Sequence, residues 1–537
     1  MVNAGEILRL AELSKAERGK YEKHWRDCYR ATFPQMGTGF NGQTDDLTAE
    51  TERAMLVDST GTDAARTLAS VLMSGLTPAN SRWLALEATS GEENDAVNAW
   101  LAECADKVWR NIHSANFDST AFDALLELVI SGAFCLLVDT DRTRGGFLFE
   151  QWPAYECYWS RVDSARVDTI YRFTEKTAAE LVATYGEDKV SEKVRDSMRT
   201  DPNVKVRVLI AIGPRPNARP GAKLAKNMPY YSAHIECDSK SVLRESGFME
   251  FPVLVPRFRK LPGSEYAIGP VSDALPDINE LNYLKRVERA SAEMAIAGMY
   301  VAVDDGVLNP RTIRVGAKQV IIANDINSIK PLQTGANFNI AFQTEERLQA
   351  QIRRVLMADQ LQPQGNRAMT ATEVNERMAL IRQQLGPAFG RLQAEYLTPL
   401  VERCFMIMYR AGALPEAPDA INGVDFRAKY ENPLARAQKL GEVTAIGQLV
   451  GQVEQMAQIW PETADVLDPE ETIRDLGKSL GVPAHLVRTT EQIMQVRDRR
   501  AKAQAAAQQQ QVEQQAQIEN NSAQIQAAAQ QQTQGAA

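Results

Sequence analysis

The chain reads as an α+β protein that is predominantly helical. Three observations predict this class. Apolar residues recur at three- and four-residue spacing over long stretches in both halves of the chain. Short runs rich in β-branched and aromatic residues concentrate between about 80 and 260. With 537 residues, 44% hydrophobic and 24% charged, the chain can bury more than one core, and two to four structural regions are expected.

From Ala11 to about Thr32 the pattern is a charged amphipathic helix, and Phe33-Pro34 ends it because the residue before proline is pushed out of the α region. A polar loop is expected to about Ala49. Residues 50–75 place Ala65, Leu68 and Leu72 at helical spacing, so one buried helix ending near Gly75 and Pro78 is expected. Helices follow at roughly 93–113 and 119–131. FCLLVD and FLFEQW then flank the polar turn DTDRTRGG, the pattern of a β-hairpin. RVDTIYRFTE, VKVRVLIAI, YYSAHIEC and FPVLVPRFR are further strand candidates.

After Gly269-Pro270 the character changes to long helices. Residues 273–298 carry Leu275, Ile278, Leu281, Leu284 or Lys285, Val287 and Met294 on one side, with Pro276 expected in the first turn. A short insert with β character runs from MYVAV to IKPLQTG. A second helix at about 340–359 carries Phe342, Leu348, Ile352, Val355 and Leu356. The polar stretch LQPQGNRAMTA leads to a helix over 372–411, which Gly386-Pro387 and Pro399 should kink by removing a hydrogen bond and crowding the preceding turn. Residues 433 to about 500 read as helical. Beyond Arg500, 26 of the last 37 residues are alanine or glutamine, too few large apolar groups for a packed core, so a frayed helix or disordered tail is expected.

The formal charge of -9 argues against a broadly basic surface that clamps nucleic acid through its phosphates. The six cysteines are scattered and form no CxxC pair, so a reducing compartment is expected. The start, MVNAGEILRLAELSKAERGK, does not read as a secretory signal. The most apolar window, 125–138, is too short to span a membrane and carries Glu127, so a soluble protein is expected.

No catalytic constellation stands out. Gly37 to Gly42 formally matches GxGxxG, but a helix precedes it and a polar run follows, whereas a dinucleotide site needs a strand before and a helix after; a flexible loop is expected. His24 and Cys28 stand four apart on a helix, yet a zinc site needs three or four ligands and His113, His234 and His485 are isolated. Asp304-Asp305-Gly306 reads as a turn. There is neither a Walker A loop nor a GxSxG elbow, so no ATPase or hydrolase activity, metal or cofactor is expected.

Five segments in order resemble the portal (head-to-tail connector) proteins of short-tailed, podovirus-type bacteriophages: GLTPANSRWLAL from Gly75, FDALLELVISGAFCLLVD from Phe122, PVLVPRFRKLPGSEYAIGPVSDALPDINELN from Pro252, ATEVNERMALIRQQLGPAFGRLQAEYLTPLVER from Ala371 and YENPLARAQ from Tyr430. The third is the most telling. Their order and spacing over about 20–500 make the match specific.

The resemblance implies a portal-like subunit with an α+β wing over 1–270, stem helices at 271–298 and 339–360 around a small β-containing clip at 299–338, and a tunnel loop at 361–371. A long kinked helix at 372–411, a helical crown at 412–500 and the tail at 501–537 would complete it. It also implies a homo-oligomeric ring, a dodecamer in the family, at one capsid vertex of the virion, assembled in the host cytoplasm. Its expected partners are the terminase large subunit, a tail adaptor or head-completion protein, the major capsid and scaffolding proteins, and double-stranded DNA that passes without sequence-specific contact. The competing readings are another head-completion or minor capsid protein, or a phage nuclease or packaging enzyme.

Gln362, Gln364, Asn366 and Arg367 are the candidate tunnel-loop residues: mostly neutral and polar, with one cation that a ring would turn into a circle of charge. Lys285, Arg286, Arg289, Arg353 and Arg354 on the stem helices are candidates for facing DNA or for pairing with Asp277, Glu280, Glu288 and Glu293; pairing between subunits is favoured, because charged helix faces are usually solvated or salt-bridged.

Overall fold

The computed structural model describes residues 3–41, 46–88, 95–141, 143–161, 166–216, 218, 224–297, 300–302, 329–331, 338–359, 385–418, 426–430, 433–457, 459–460, 462, 467–480 and 493–504. The chain divides into two compact units. One comprises 1–85, 104–414 and 428–432; the other comprises 86–103, 415–427 and 433–537.

Helix α1 (Ala4–Thr32) opens the first unit, seven residues earlier than its charge pattern suggests. Asn3 caps it by accepting a hydrogen bond from the Glu6 N–H, satisfying one of the donors that a helix start leaves orphaned. Pro34 then starts a new turn, α2 (Pro34–Gly37), continued by a 3-10 turn at Thr38–Asn41. The stretch expected as a flexible loop is therefore ordered as far as Asn41. Phe40 packs on Trp25, Tyr29 and Tyr155, and a Cβ on Gly39 would lie 2.3 Å from the Tyr155 ring. Close aromatic packing, not a phosphate, explains that glycine.

The single helix expected over 50–75 is two: α3 (Asp46–Met55) and α4 (Thr60–Leu76). Asp58 breaks the run, its side chain accepting from the Thr60 N–H at 2.8 Å, the local competition that makes aspartate a poor mid-helix residue. Strand β1 (Leu84–Ala88) precedes α5 (Asp95–Ser114) and α6 (Phe117–Ser131). Helix α6 ends at Gly132 in the left-handed conformation, φ 91°, the usual glycine stop. A Cβ there would also lie 2.2 Å from the Ile268 carbonyl carbon.

Strands β2 (Cys135–Thr140) and β3 (Phe147–Trp152) form the hairpin read from the sequence. Asn116 closes the free edge of β3, accepting from the Phe149 N–H at 3.0 Å and donating to its carbonyl at 2.7 Å as a neighbouring strand would. The larger sheet is an antiparallel meander, β4 (Cys157–Ser160), β5 (Thr169–Thr177), β6 (Lys205–Pro214), β7 (Tyr230–Glu236) and β8 (Val242–Phe248), in spatial order β4-β5-β6-β7-β8. Successive residues of β6 serve opposite faces, as strand geometry requires. Leu209 and Ala211 join Ile7 and Ala11 of α1 on one side. Val208 joins Leu181 and Val194 on the other, from helices α7 (Ala178–Tyr185) and α8 (Glu192–Thr200). A capping box between Thr177 and Glu180 starts α7 directly at the end of β5.

FPVLVPRFR is not one strand. Pro252 and Pro256 cannot donate to a ladder, so the segment pairs in pieces: β9 (Val253–Leu254) with β2, Arg257 in an isolated bridge with Ala133, and β10 (Arg259–Lys260) with β11 (Ala267–Ile268). Helix α9 (Val271–Ala297) follows, and Pro276 is its sixth residue, not in the first turn, because Gly269-Pro270 starts the helix early. Strands β12 (Tyr300–Ala302) and β13 (Ile329–Pro331) pair antiparallel, and α10 (Phe338–Val355) returns.

The helix around Pro399 is built as α11 (Gly386–Leu392), a π turn at Gln393–Leu397 and α12 (Thr398–Arg410). Pro387 sits at the start of α11, where a missing N–H costs least, whereas Pro399 lies inside the continuous helix just after the π turn. The π turn widens the helix ahead of the Pro399 ring, and Thr398 Oγ1 donates to the Gln393 carbonyl at 2.9 Å. In the second unit, α13 (Pro433–Ala457) packs with α14 (Pro469–Leu480), and 493–504 is helical.

Candidate functional site

The feature singled out by the sequence is the pair α9 and α10. Its footing in the first unit begins at Arg257, which is 1% exposed. The guanidinium donates to Glu395 Oε2 from Nε at 3.0 Å and to Oε1 from Nη2 at 2.7 Å, and to Glu265 from Nη1 at 2.8 Å. The Arg257 backbone N–H adds a fourth bond to Glu395 at 3.0 Å. Burial pulls its pKa down, and the two carboxylates more than offset that, so it stays raised above its ordinary value. The π turn presents Glu395 to this cluster, so the widened helix and the buried ion pair are one construction.

The start of α9 is tied down from several directions. Arg259 forms a bidentate pair with Asp273 at 2.7 and 3.0 Å. Trp25 Nε1 donates to the Ala267 carbonyl at 3.2 Å, and His24 Nε2 lies 2.6 Å from Ser272 Oγ. His24 therefore serves as an α1–α9 contact. Cys28 Sγ lies 3.8 Å from it, with the thiol pushed up to about 12 by burial and then by Asp27 and Asp273. That is the environment of an inert cysteine.

Higher on α9, Ala274, Ile278 and Leu281 are buried, as are Leu348, Ile352 and Leu356 at the end of α10 and just beyond it. Lys285 pairs with Glu345 between the two helices. Asn282, 7% exposed, accepts from the Val57 and Asp58 N–H groups at 2.9 and 3.1 Å and donates to the Ile278 carbonyl at 3.0 Å. Gln349 Nε2 donates to Asp58 Oδ2 at 3.1 Å, and Arg286 Nη2 donates to the Met55 carbonyl, the end of α3. The break between α3 and α4 is thus where the helix pair is stitched to the body. An asparagine on an apolar helix stripe was the one sequence signal for it.

Of the candidate charges, Lys285 and Arg286 are engaged within the chain, whereas Arg289, Arg353 and Arg354 form no ion pair among the described residues. Gln362, Gln364, Asn366 and Arg367, with the whole 361–371 loop, lie outside the described residues, as do Asp304, Asp305, most of 299–338, His485 and the tail beyond 504.

The other two described histidines, His113 and His234, make packing contacts. His113 accepts from Trp83 Nε1 at Nε2, 3.0 Å, and its Nδ1 lies 2.7 Å from Asp118. His234 lies 2.7 Å from the Tyr185 hydroxyl, and burial, then Arg244 and Lys176, push it down to about 4. All six cysteines are free thiols, and among the described residues no group of three or more His, Cys, Asp or Glu gathers to hold a metal. No described helix is long and apolar enough to cross a membrane.

Residues that the sequence reading did not single out bind the body of the first unit together. Arg18, 2% exposed, donates to the carbonyls of Ala154, Tyr155 and Cys157 at 2.8 to 2.9 Å. Arg403 reaches the Val138 carbonyl at 2.6 Å and Glu250. Glu127, fully buried, accepts from Tyr29 at 3.1 Å, Gln151 at 2.9 Å and the Ala154 N–H at 3.0 Å; burial pushes its carboxyl up to about 6 against those three donors.

With that geometry in hand, residues 4–487 match the family model described as bacteriophage head to tail connecting protein. The chain belongs to that family. Two relatives of the connector chain extend over nearly its whole length. A "probable portal protein" of Bordetella phage BPP-1 is 28% identical over 529 residues, 92% of this chain and 90% of the relative. A "portal protein" of Salmonella phage epsilon15 is 29% identical over 527 residues, 94% of this chain and 92% of the relative. Among solved structures, a chain from the neck of an empty GTA particle aligns at a TM-score of 0.34 and 11% identity, covering 77% of this chain and 93% of that one, a level that carries no argument.

Proposed function

We propose that the chain is a portal subunit: copies close into a ring at one capsid vertex and form the channel through which double-stranded DNA enters and leaves. The observation that carries this reading is kinship to two portal proteins along more than nine-tenths of the chain. The helix pair anchored by Arg257, Asn282 and Arg259 supports it, since a channel needs long elements held rigidly to a body.

In this reading 1–270 is the wing, 271–298 and 339–360 the stem, 299–338 the clip, 361–371 the tunnel loop, 372–411 the connecting helix and 412–500 the crown. The ring is a dodecamer. Its clip receives the terminase large subunit during packaging and a tail adaptor afterwards, and its outer surface meets the major capsid and scaffolding proteins as heads assemble in the host cytoplasm. The protein itself is not an enzyme. The acidic balance suits a channel wall, because each neutralised phosphate makes binding tighter and slows passage.

Negative-stain microscopy of the purified full chain tests the ring: annular particles are expected, and a monodisperse monomer at micromolar concentration would refute it. For the tunnel loop, Arg367→Ala or deletion of 362–368 should leave rings intact while DNA packaging or retention drops. Normally filled heads from both variants would remove the loop's role.

A further inference from the structure

Helices α9 and α10 leave two stripes unused by the body. On α9, Pro276, Glu280, Tyr283 and Val287 are all exposed, at spacings of four, three and four residues, which keeps them on one face. Tyr283 is 70% exposed and Val287 43%, unusual for large apolar side chains on a helix whose Ile278 and Leu281 are fully buried. On α10, Gln343, Arg347, Ala350 and Arg354 are exposed with the same spacing.

The two stripes also agree in level. The helices run antiparallel, because Lys285 pairs with Glu345 while Asn282 and Gln349 meet at Asp58. That register puts Val287 level with Gln343, Tyr283 with Arg347, Glu280 with Ala350 and Pro276 with Arg354. One stripe is apolar and acidic, the other basic and polar, with a small residue where the acid falls. Glu280, Arg347 and Arg354 form no ion pair among the described residues.

We infer that the α9 stripe of one copy packs on the α10 stripe of the next. With the ring axis parallel to the helix pair, levels stay unchanged and the within-chain register becomes the between-chain register. Glu280 then lies over Ala350 with Arg347 and Arg354 on either side, and the Arg347 guanidinium covers the Tyr283 ring, a cation–π contact. The interface is heterologous: the two faces differ, and the repeated operation closes into a ring. This rests on the ring reading above and specifies which surfaces make it.

The test is the assembly of the full chain followed by mass photometry and sedimentation over a concentration series. Glu280→Arg places three cations together and should raise the concentration needed for assembly by more than about tenfold, since like charges at an interface are strongly disfavoured. Adding Arg347→Glu and Arg354→Glu to it should restore assembly. All three positions are exposed, so thermal unfolding of the dissociated chain should not change, which separates loss of contact from loss of fold. Wild-type-like assembly of Glu280→Arg, or failure of the triple variant, would overturn the pairing while leaving the ring in place. A wild-type chain that never assembles would overturn the ring reading and the pairing with it.

Discussion

The body of the first unit and the helix pair treat charge in opposite ways. In the body, Arg18, Arg257 and Arg403 are buried, and each is matched within the chain to carbonyls or carboxylates tens to hundreds of residues away. On α9 and α10, by contrast, Lys285 is matched to Glu345, but Arg289, Arg353 and Arg354 find no carboxylate among the described residues, and Tyr283 stands largely in solvent. The difference teaches which part of the molecule is complete. Burying an unmatched charge is costly, so the buried arginines are resolved internally; the exposed charges of the helix pair stay solvated and are free to meet another surface.

Four substitutions probe that contrast. The largest effect is expected at Arg257. Arg257→Met leaves Glu395 buried without its partner and should cost about 3–5 kcal/mol of unfolding free energy, measured by denaturant titration. A loss below about 1 kcal/mol would mean that the body does not depend on its internal ion pairs. Next is the seam between the regions. Asn282→Leu strands the Val57 and Asp58 N–H groups and should cost about 2 kcal/mol, with faster hydrogen exchange at those two amides as the specific sign.

Glu127 makes the body's behaviour visible as a pH dependence. Its folded pKa of about 6 lies above the 4.5 of an ordinary glutamate, so the folded state binds a proton more tightly than the unfolded state. Its contribution to stability therefore rises as pH falls from above 6 to below 4.5, by about 2 kcal/mol. In Glu127→Gln that rise should vanish, while the amide keeps the contacts to Tyr29 and Ala154. Taking the difference between the two proteins at each pH cancels every other titrating group, His234 included. The smallest effect belongs to the helix pair. Lys285→Ala should cost no more than about 1 kcal/mol, because a partly exposed ion pair contributes little.

Much of the fold was legible in the sequence because it follows from periodicity. The hairpin of β2 and β3, the strands β5, β6 and β7, and the order of long helix, β insert and long helix all stand in the apolar spacing. What escaped was set by tertiary partners. Strand β8 is half polar, VLRESGF, and holds because β7 lies beside it. Helix α8, EKVRDSMRT, has a single buried residue, Val194. The break at 56–59 has one local cause, Asp58, but the other groups that hold it, Asn282, Arg286 and Gln349, come more than 220 residues later. The same holds for Glu395, whose importance appears only when Arg257 is placed beside it. Sequence spacing located the helix pair but not its footing.

The most direct measurement of the central claim is the mass of the assembled full chain by native mass spectrometry. One closed species at an integral multiple of 59.5 kDa is expected, with twelve copies giving about 714 kDa, and it should lose discreteness in Glu280→Arg. A single species at 59.5 kDa across the micromolar range, with the wild-type helix pair intact, would contradict the account.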